Sequence, residues 1–431
     1  MEVKNHMIKK ISLPYGQKSI EVNIESNNIA GILTPSKTTA DKKNDEKDIV
    51  IKALAEPIGS EPLHELAQNK QKVVIITSDH TRAVPSKITL PLLLAEIRRG
   101  NPHADITVII ATGLHRGMTS EEMRARFGNE LFEKEHFVNH NAYDKSSLTE
   151  LGTLPSGSKC EINTLALNAD LLIAEGFIEP HFFAGFSGGR KSIFPGIASQ
   201  ACVNINHSAK AIADPKSITG VLDGNPIHED MIKAARMANL AFILNVLLNE
   251  KKEIIGAFAG DTDKAHRAGC AKLLADVGTK AIKADIVITT NGGYPLDQNL
   301  YQCPKCLSSA LMCAKKDAVI ILAAACEDGL GGENFGSMMQ EASAAVLLKR
   351  ILATPPEQTV SEQWCVQRFA EALLYYKIIL VSSLEKSLVT AMGFLYADTV
   401  DSALQQAYEI KGKDAKVTII PDGVSVIVKG K

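Results

Sequence analysis

Short runs of β-branched and aliphatic residues alternate along this chain with segments whose apolar positions recur at helical spacing. In the first half, the strand-like runs lie at Val73–Thr77, Ile106–Thr112 and Leu171–Ala174. Helical segments follow the first two of them, at Ser86–Arg99 and Thr119–Arg126. Strands that alternate with helices in this way predict a parallel sheet covered by helices.

The alternation continues to about residue 277 and then starts again. Three more helices are predicted at Ser199–Ala211, His228–Ala238 and Thr262–Val277, and a second set of strands at Asp285–Thr290, Ala318–Ala325 and Ile378–Ser382. The segment Ala415–Ile427 carries a turn signal at Pro421–Gly423 and predicts a hairpin. A single core would be unusually large for 431 residues, so two domains are expected.

The predicted fold is therefore α/β, with two Rossmann-like parallel-sheet domains and the active site in the cleft between them. The first domain is placed at residues 1–272 and the second at residues 273–405. Residues 406–431 are predicted to form the C-terminal hairpin and to pack back on the first domain. Hydrophobic residues make up 45% of the chain but aromatic residues only 5%, and this largely aliphatic content suits buried parallel strands.

Charge and composition exclude several classes of protein. Lys and Arg number 47 against 49 Asp and Glu, and a formal net charge of −2 leaves no basic field for nucleic acid. The N-terminus has no apolar signal segment, and the longest apolar runs reach about half a membrane span. The eight cysteines are scattered, and the C-x-x-C pair Cys303 and Cys306 has no second pair at zinc-site spacing. We expect a soluble cytoplasmic protein that binds neither nucleic acid nor membrane.

Ionisable and amide side chains follow four of the predicted strands. In open α/β sheets, ligands bind beyond the carboxyl ends of the strands. The polar segments at these ends are Ser78–Arg82, Gly113–Arg116, Glu175–His181 and Asn291–Asn299. One such loop would mean little, but four together predict a single polar cleft.

Two histidines and one arginine in these loops are candidates for chemistry. His115 and His181 each lie just past a strand and can act as a general acid/base pair, because histidine titrates near neutral pH. Each can equally be a loop histidine bonded to a backbone carbonyl. Arg82 can capture a carboxylate or phosphate with its planar fork, or it can pair with Asp79 three residues earlier. The residues alone leave both questions open.

The segment Gly185–Ser192, with the sequence GFSGGRKS, is the sharpest local signal. Its flexible backbone N–H groups, leading into a helix, predict an anion site. It nearly matches the phosphate-binding P-loop, but Arg190 stands where that motif has glycine, which argues against a P-loop kinase. Lys191 beside the loop can be a point charge or a covalent anchor.

Four ordered blocks of sequence carry a family likeness. They are Asp79–Pro85 (DHTRAVP), Ala111–Thr119 (ATGLHRGMT), Glu179–Gly196 (EPHFFAGFSGGRKSIFPG) and Asn291–Asn299 (NGGYPLDQN), the last continued to Tyr301, Gln302 and Lys305. In this order they resemble the signature blocks of the nickel-pincer-dependent lactate racemases. Ala83 and Gly117 each replace a proline of the family pattern. The likeness spans roughly residues 20–400 and is far more specific than any lone motif.

The resemblance implies a cofactor and a metal. The cofactor would be the nickel-pincer nucleotide, a pyridinium-3-thioamide-5-thiocarboxylic acid mononucleotide that holds nickel. Lys191 matches the lysine that forms the thioamide, and His207 matches the protein ligand that completes the square-planar coordination preferred by nickel(II). The cofactor phosphate is implied at Ser187, Gly188, Gly189 and Arg190.

The resemblance also implies the substrate-handling residues. His115 and His181 match the two acid/base histidines. The implied substrate-binding residues are Arg82, Asp79, Tyr294, Gln302 and Lys305, with Asp79 orienting its neighbours. Trp364 lies where the family often has an aromatic residue, and whether it lines the site is left open.

The implied activity is the interconversion of D- and L-lactate by reversible hydride transfer, and the implied partners are a small 2-hydroxy acid and the cofactor-maturation enzymes. A racemase or epimerase of another 2-hydroxy acid, such as malate, a longer-chain, an aromatic or a sugar acid, is the first alternative. A protein that binds the cofactor without turnover is the second. An NAD dehydrogenase is disfavoured, because no G-x-G-x-x-G follows an early strand.

Overall fold

The structure, a computed structural model, describes residues 7–35, 45–249 and 251–429. These residues form twenty strands, which in chain order are β1 (Ile8–Tyr15), β2 (Lys18–Glu25), β3 (Ile29–Ile32), β4 (Lys72–Ser78), β5 (Asp105–Ala111), β6 (His136–Asn139), β7 (Leu148–Thr153), β8 (Lys159–Asn163), β9 (Leu171–Phe177), β10 (Pro180–His181), β11 (Gly185–Phe186), β12 (Leu240–Leu248), β13 (Ile254–Gly260), β14 (Gly278–Lys280), β15 (Ala284–Thr290), β16 (Ala314–Ala323), β17 (Lys377–Val381), β18 (Leu395–Tyr396), β19 (Val417–Ile420) and β20 (Ile427–Lys429).

The same residues form sixteen α-helices, which are α1 (Glu46–Ala55), α2 (Leu63–Leu66), α3 (Ser86–Gly100), α4 (Ser120–Phe127), α5 (Asn129–Lys134), α6 (Thr164–Leu167), α7 (Gln200–Asn206), α8 (Ala209–Ala213), α9 (Pro226–Met237), α10 (Lys264–Val277), α11 (Pro304–Cys313), α12 (Glu333–Glu341), α13 (Ala344–Ala353), α14 (Gln363–Tyr375), α15 (Lys386–Ala391) and α16 (Val400–Lys411). Short 3₁₀ helices lie at Ser26–Asn28, Lys145–Ser147, Gly189–Ser192, Leu300–Gln302 and Pro356–Gln358. No described helix is both long enough and apolar enough to cross a membrane.

The chain divides into two compact units. The central unit consists of residues Thr38–His207 and Asp214–Leu274, and the terminal unit consists of Met1–Lys37, Ser208–Ala213 and Ala275–Lys431. Each unit contains a six-stranded sheet. The predicted α/β class with two parallel-sheet domains is thereby confirmed.

The sheet of the central unit has the order β13-β12-β9-β4-β5-β6. All its neighbours pair in parallel except β12 and β13, which pair antiparallel. Strand β9 is buried along almost its whole length because helices cover both faces of such a sheet. Strands β9, β4 and β5 are adjacent and parallel, so the segments that follow them leave the sheet at one edge.

The sheet of the terminal unit has the order β18-β17-β16-β15-β19-β3, and all its pairs are parallel. Its core includes Ile286, Ile288, Ile321 and Ile419, all fully buried. The hairpin β1–β2 belongs to the same unit, and Asp401 of α16 accepts bonds of 2.9 Å from the backbone and side-chain amides of Asn23. Residues 8–32 therefore belong with the C-terminal half of the chain, and not with a contiguous domain 1–272.

The last residues differ from the predicted hairpin at 406–431. The turn is present, since the Asp422 side chain accepts from the backbone N–H groups of Val424 and Ser425. The strands on either side do not pair with each other: β19 pairs in parallel with β15, and β20 with β14. The Gly423 N–H donates to Thr290 O at 3.0 Å, and its carbonyl accepts from the Ser309 hydroxyl. Hydrogen bonds thus hold the turn between β15 and α11, and the two strands that flank it are kept apart.

Most of the other predicted elements are confirmed within a few residues, and one differs in a way that matters for the site. The predicted helix Ser199–Ala211 is interrupted, because α7 ends at Asn206 and α8 begins at Ala209. His207 is the residue that caps α7. Helices α12 to α16 were not predicted from the sequence pattern.

Candidate active site

His115 bonds to a buried carboxylate where β4 and β5 leave the sheet. Asp79, directly after β4, is 1% exposed, and its Oδ2 lies 2.7 Å from His115 Nδ1. Its Oδ1 accepts the Thr81 backbone N–H at 3.0 Å and the Thr81 hydroxyl at 2.6 Å. Burial alone would raise the pKa of Asp79, but the bond and charge of His115, with help from Thr81 and Arg82, lower this pKa to about 2.

This arrangement sets the tautomer of His115. An ionised carboxylate can only accept hydrogen bonds, so His115 Nδ1 carries the proton that Asp79 accepts. In the neutral ring the lone pair then lies on Nε2. The His115 side chain is 45% exposed, so the ring remains accessible to a ligand.

His181 has the opposite arrangement. It lies in the two-residue strand β10, which pairs with β11, and the backbone N–H of Ala184 donates to His181 Nδ1 at 3.3 Å. A backbone N–H can only donate, so Nδ1 is the acceptor and the neutral ring carries its proton on Nε2. One candidate histidine thus offers a lone pair at Nε2, and the other offers an N–H there.

The ring of Phe183 brings three predicted site residues together. Its centroid lies 4.5 Å from that of His181 and 4.8 Å from that of His207, both in edge-to-face geometry. Lys191 Nζ lies 6.0 Å from the same centroid. The Phe183 carbonyl accepts from the Asn225 amide at 2.8 Å, and Phe183 is 3% exposed, so the ring is held firmly. The predicted acid/base histidine, metal ligand and tether therefore surround one aromatic ring.

His207 is suited to act as a metal ligand. It is 5% exposed at the end of α7. Burial, and after it the nearby charge of Lys191, lowers its pKa to about 3. The imidazole is therefore neutral near pH 7, which is the form that binds metals.

The loop before Lys191 is shaped by left-handed glycines and a buried amide. Gly188 has φ +79° and Gly189 has φ +54°. Asn245 of β12 accepts the Gly189 N–H at 2.7 Å, and a Cβ on Gly188 would lie 2.7 Å from the same amide oxygen. Ser187 donates its N–H to Glu179 O, and its hydroxyl accepts the Glu179 N–H. These bonds fix the loop, and a phosphate role for Ser187, Gly188, Gly189 and Arg190 stays a prediction.

Arg190 supports this loop from inside the protein. The side chain is fully buried, and its guanidinium donates to Ala184 O at 2.8 Å and to Gly188 O at 3.2 Å. Burial lowers its pKa to about 10, so it keeps its charge near pH 7. The guanidinium also lies 3.1 Å from His266 Nε2, beneath the loop.

The buried histidines near Arg190 make the central unit acid-sensitive. Burial lowers the pKa of His228 from 6.5 to about 3 and that of His266 well below 6.5, in both cases with Arg190 as the next cause. These rings are neutral when folded but bind protons when unfolded below pH 6.5. Stability is therefore complete above pH 6.5 and falls by about 1.4 kcal/mol per pH unit for each ring as the pH drops.

We expect His228→Gln to lower the proton uptake on thermal unfolding at pH 5 by about one proton. Calorimetry in two buffers of different ionisation enthalpy measures this uptake. An unchanged uptake in His228→Gln would contradict the neutral state of the buried ring.

Arg82 lies on the surface of the central unit. Its guanidinium donates to the carbonyl of Thr81 at 3.3 Å and to the Thr81 hydroxyl at 3.2 Å. Among the described residues Arg82 forms no ion pair with Asp79, whose ion-pair partner is His115. The structural-pair interpretation of Arg82 is therefore not supported, and its guanidinium is exposed to solvent.

The remaining predicted substrate residues belong to the terminal unit. Tyr294 is 53% exposed. Gln302, which ends the 3₁₀ helix before α11, and Lys305, in the first turn of α11, are half-buried. The loop that carries Tyr294 is tied to the turn of the β1–β2 hairpin: Tyr294 N–H donates to Gly16 O at 2.9 Å, and the buried Asp297 accepts Gly16 N–H at 2.7 Å. Trp364, in α14, is 7% exposed.

Three residues that shape the site were not singled out from the sequence. Thr81 and Phe183 lie inside the quoted family blocks, but nothing in their spacing assigned them a role. Asn245 carried a usable signal, because it is the only polar residue in the nine-residue apolar strand β12. A buried amide in such a strand needs a partner, and here the partner is the Gly189 N–H.

Comparison with known proteins gives the same assignment along the whole chain. Residues 15–220 match the family model described as the lactate racemase N-terminal domain, and residues 279–428 match that of the lactate racemase C-terminal domain. The lactate racemase of Thermoanaerobacterium thermosaccharolyticum is 50% identical over 425 residues, covering 98% of this chain and 99% of that protein. The lactate racemase of Lactiplantibacillus plantarum is 47% identical over 421 residues, covering 97% and 99%.

Solved structures agree with this. The lactate racemase apoprotein from Thermoanaerobacterium thermosaccharolyticum has a TM-score of 0.94, with 49% identity over 98% of this chain and 100% of that one. A protein from Thermotoga maritima, 21% identical with a TM-score of 0.63 over 89% and 97% of the two chains, shares the fold. These likenesses make the chain an isomerase of the racemase class. More particularly, it belongs to the lactate racemase family.

Proposed function

We propose that this protein interconverts D- and L-lactate by reversible hydride transfer to a lysine-tethered nickel-pincer nucleotide, with His115 and His181 as the acid/base pair. The observation that carries the proposal is the opposite tautomers of these two histidines. Identities of 50% and 47% to lactate racemases over nearly the full chain support lactate as the substrate.

The side chains around Phe183 fit the cofactor. Lys191 offers the primary amine from which a thioamide can form, and His207 offers the neutral imidazole nitrogen that nickel(II) accepts. When bound, the nucleotide would accept a hydride from C2 of the substrate and return it, which no side chain can do. Among the described residues no group of three His, Cys, Asp or Glu side chains could hold a metal ion, and His207 is the protein ligand that we propose.

The protein itself handles the protons. His115 Nε2 accepts the hydroxyl proton of one enantiomer, and the carboxylate of Asp79 stabilises the imidazolium that results. His181 has to supply the hydroxyl proton of the opposite enantiomer: its protonated form gives the Nε2 proton to the oxygen and is left neutral, and in the reverse direction it accepts the hydroxyl proton. Two histidines are required because the enantiomers present their hydroxyls on opposite sides of C2. Between turnovers, His115 releases the proton that it accepted to water, and His181 takes up a proton from water.

The carboxylate of the substrate must stay fixed while the configuration at C2 inverts. We assign this task to Arg82, whose planar fork can bind a carboxylate in two parallel hydrogen bonds. Tyr294, Gln302 and Lys305 are proposed as further substrate-binding residues on the resemblance. A planar 2-keto acid held by its carboxylate can turn its other face to the returning hydride.

A racemase of another 2-hydroxy acid would use the same residues, and it is the alternative function. The proposed partners are a small 2-hydroxy acid and the enzymes that make and deliver the cofactor. We propose no nucleic acid partner, because the net charge is −2.

The test is to produce the protein together with the cofactor-maturation enzymes and to assay a panel of 2-hydroxy acids as single enantiomers. Lactate should racemise fastest, with one adduct per chain by intact mass and one nickel per chain. Turnover of malate or an aromatic acid in preference to lactate would replace the substrate but keep the class. Protein that carries the adduct and nickel but racemises none of the panel would support the cofactor-binding alternative.

A further inference from the structure

The segment 79–85 carries two residues of the proposed site but no regular secondary structure. It joins the end of β4 to the start of α3 and includes Asp79 and Arg82. A segment of this kind keeps one conformation only if other parts of the protein hold it. The polar side chains that hold it are therefore candidates for a role in positioning.

One buried carboxylate holds both ends of the segment. Glu175, in β9, is 0% exposed. Its Oε1 accepts the hydroxyls of Thr77 and Ser86, each at 2.5 Å, and its Oε2 accepts the hydroxyl of Thr89 at 2.5 Å. Thr77 precedes Asp79 by two residues, and Ser86 begins α3. Three hydroxyl donors offset the unfavourable free energy of burying this carboxylate. Through the same hydrogen bonds, Glu175 fixes the residues on either side of the segment.

One arginine holds the middle of the segment. Arg126, in the last turn of α4, donates from NH1 to Arg82 O at 2.9 Å and from NH2 to Val84 O at 3.4 Å. Burial lowers the pKa of Arg126, and the nearby carboxylates of Glu175 and Asp79 oppose this shift because they favour its charged form. Arg126 is thus the cationic counterpart of the two buried carboxylates beside the segment.

The Arg126 contacts bear directly on Arg82. The Arg82 guanidinium bonds to the carbonyl and hydroxyl of Thr81, one residue away, so its direction follows the backbone at this point. Arg126 fixes that backbone at the Arg82 carbonyl. A shift of this carbonyl would move the exposed guanidinium at the end of a long side chain.

Arg126 is an unfavourable choice for stability alone. Its Nε–H is buried and meets no hydrogen-bond partner among the described residues. A buried charge with an unsatisfied donor is commonly less stabilising than an apolar side chain of similar size. A fork that reaches two carbonyls at once is what only arginine supplies.

We propose that Arg126 is a positioning residue for the reaction, which orients Arg82 toward the substrate carboxylate while Glu175 anchors the two ends of the same segment. This inference rests on the proposed function, because it takes Arg82 as the group that binds the substrate. Arg126 and Glu175 are thus proposed to act through Arg82 and not on the substrate itself.

The main test is Arg126→Lys in protein loaded by the maturation enzymes. Lysine keeps the charge but cannot reach both carbonyls. The KM for lactate should rise about tenfold while kcat changes little, because misdirecting Arg82 weakens the substrate and the transition state alike. Arg124→Lys is the matched control, since Arg124 lies on the same helix but pairs with Glu133 at the surface. It should leave KM unchanged.

Chemical rescue separates positioning from general destabilisation. Arg126 lines an open cleft of about 530 Å³, so guanidinium can enter the space left in Arg126→Ala. Millimolar guanidinium should restore a low KM in Arg126→Ala, with saturation, and should not affect Arg124→Lys. A KM within twofold of wild type in Arg126→Lys would overturn the inference, and so would a loss confined to kcat that guanidinium does not rescue.

A binding measurement keeps this test apart from that of the proposed function. Calorimetry with oxalate, a planar dicarboxylate, needs no turnover. If the wild type binds oxalate and Arg126→Lys binds it about tenfold more weakly, the positioning role holds even where lactate is not the substrate. A wild type that binds no oxalate, or equal binding by wild type and Arg126→Lys, would overturn it.

Discussion

Asp79→Asn should lower kcat/KM for lactate by about a hundredfold to ten-thousandfold. The reason is the direction in which the asparagine must point. The N–H and hydroxyl of Thr81 both donate to Asp79 Oδ1, so the amide oxygen takes that position. The NH₂ group then faces His115 Nδ1 and donates to it. The neutral His115 ring is left with its proton on Nε2, where it can no longer accept the proton of the substrate hydroxyl.

The loss should be the same for both enantiomers. D- and L-lactate have equal free energies, so kcat/KM must be equal in the two directions for any variant. The individual steps can still differ between the directions, and rapid-mixing measurement of 2-keto acid formation from each enantiomer separately can show the difference. In Asp79→Asn, the enantiomer whose hydroxyl meets His115 should give the slower formation.

Asp144→Asn is a control for the backbone effect of this substitution. Asp144 accepts the N–H of Ser146 at 3.0 Å and its hydroxyl at 2.6 Å, as Asp79 does with Thr81, and no histidine of the described part of the chain pairs with it. It should keep wild-type activity. Full activity in Asp79→Asn, at an unchanged melting temperature, would show that His115 is not the base.

Lys191→Ala should abolish both the cofactor adduct and racemase activity. The amine is the one nucleophile beside Phe183 and His207 to which we assign the tether, and alanine cannot form a thioamide. Lys191→Arg should also fail, although it keeps the positive charge, because a guanidinium does not replace the amine in this bond. Intact-mass spectrometry of protein made with the maturation enzymes measures the adduct without any assay of turnover.

The exposed Lys233 of α9 provides the matched control for this prediction. Lys233→Ala should carry the full adduct and full activity, which excludes a general effect of removing a lysine from the central unit. A Lys191→Ala protein that still gains the adduct would place the tether on another residue. A Lys191→Ala protein that racemises without an adduct would remove the tether from the mechanism.

The strands and the position of the site could be predicted because both follow from local sequence. A strand buried on both faces, such as β9, is a continuous apolar run, and polar residues after parallel strands must gather at one edge of the sheet. Asp79, His115 and His181 were found in this way. Lys191 could be singled out beside the glycine-rich loop, but its role as the tether follows only from the family resemblance. The same holds for His207, because a histidine at a helix end is common.

The tautomers could not be predicted because they depend on which atom lies within reach of each ring nitrogen. No spacing rule tells that Asp79 Oδ2 faces His115 while the Ala184 N–H faces His181. The role of Arg126 could not be predicted for a similar reason: it lies in a helix 44 residues after Arg82, and it reaches the segment through hydrogen bonds to backbone carbonyls. Such contacts leave no pattern of residue types in the sequence.

The pairing of β3 with β19 has a consequence for how the protein is made. Val417 aligns with Ile29 in this pair, so the sheet of the terminal unit joins residues that are synthesised far apart in time. The central unit is complete once Leu274 has left the ribosome, and it can fold before the rest of the terminal unit has been synthesised. The first strands must wait, and their exposed edges are open to wrong pairing during that interval. We expect the yield of active protein to depend on the rate of elongation through about the last 150 residues. During this interval the first strands are unpaired and depend most on chaperones.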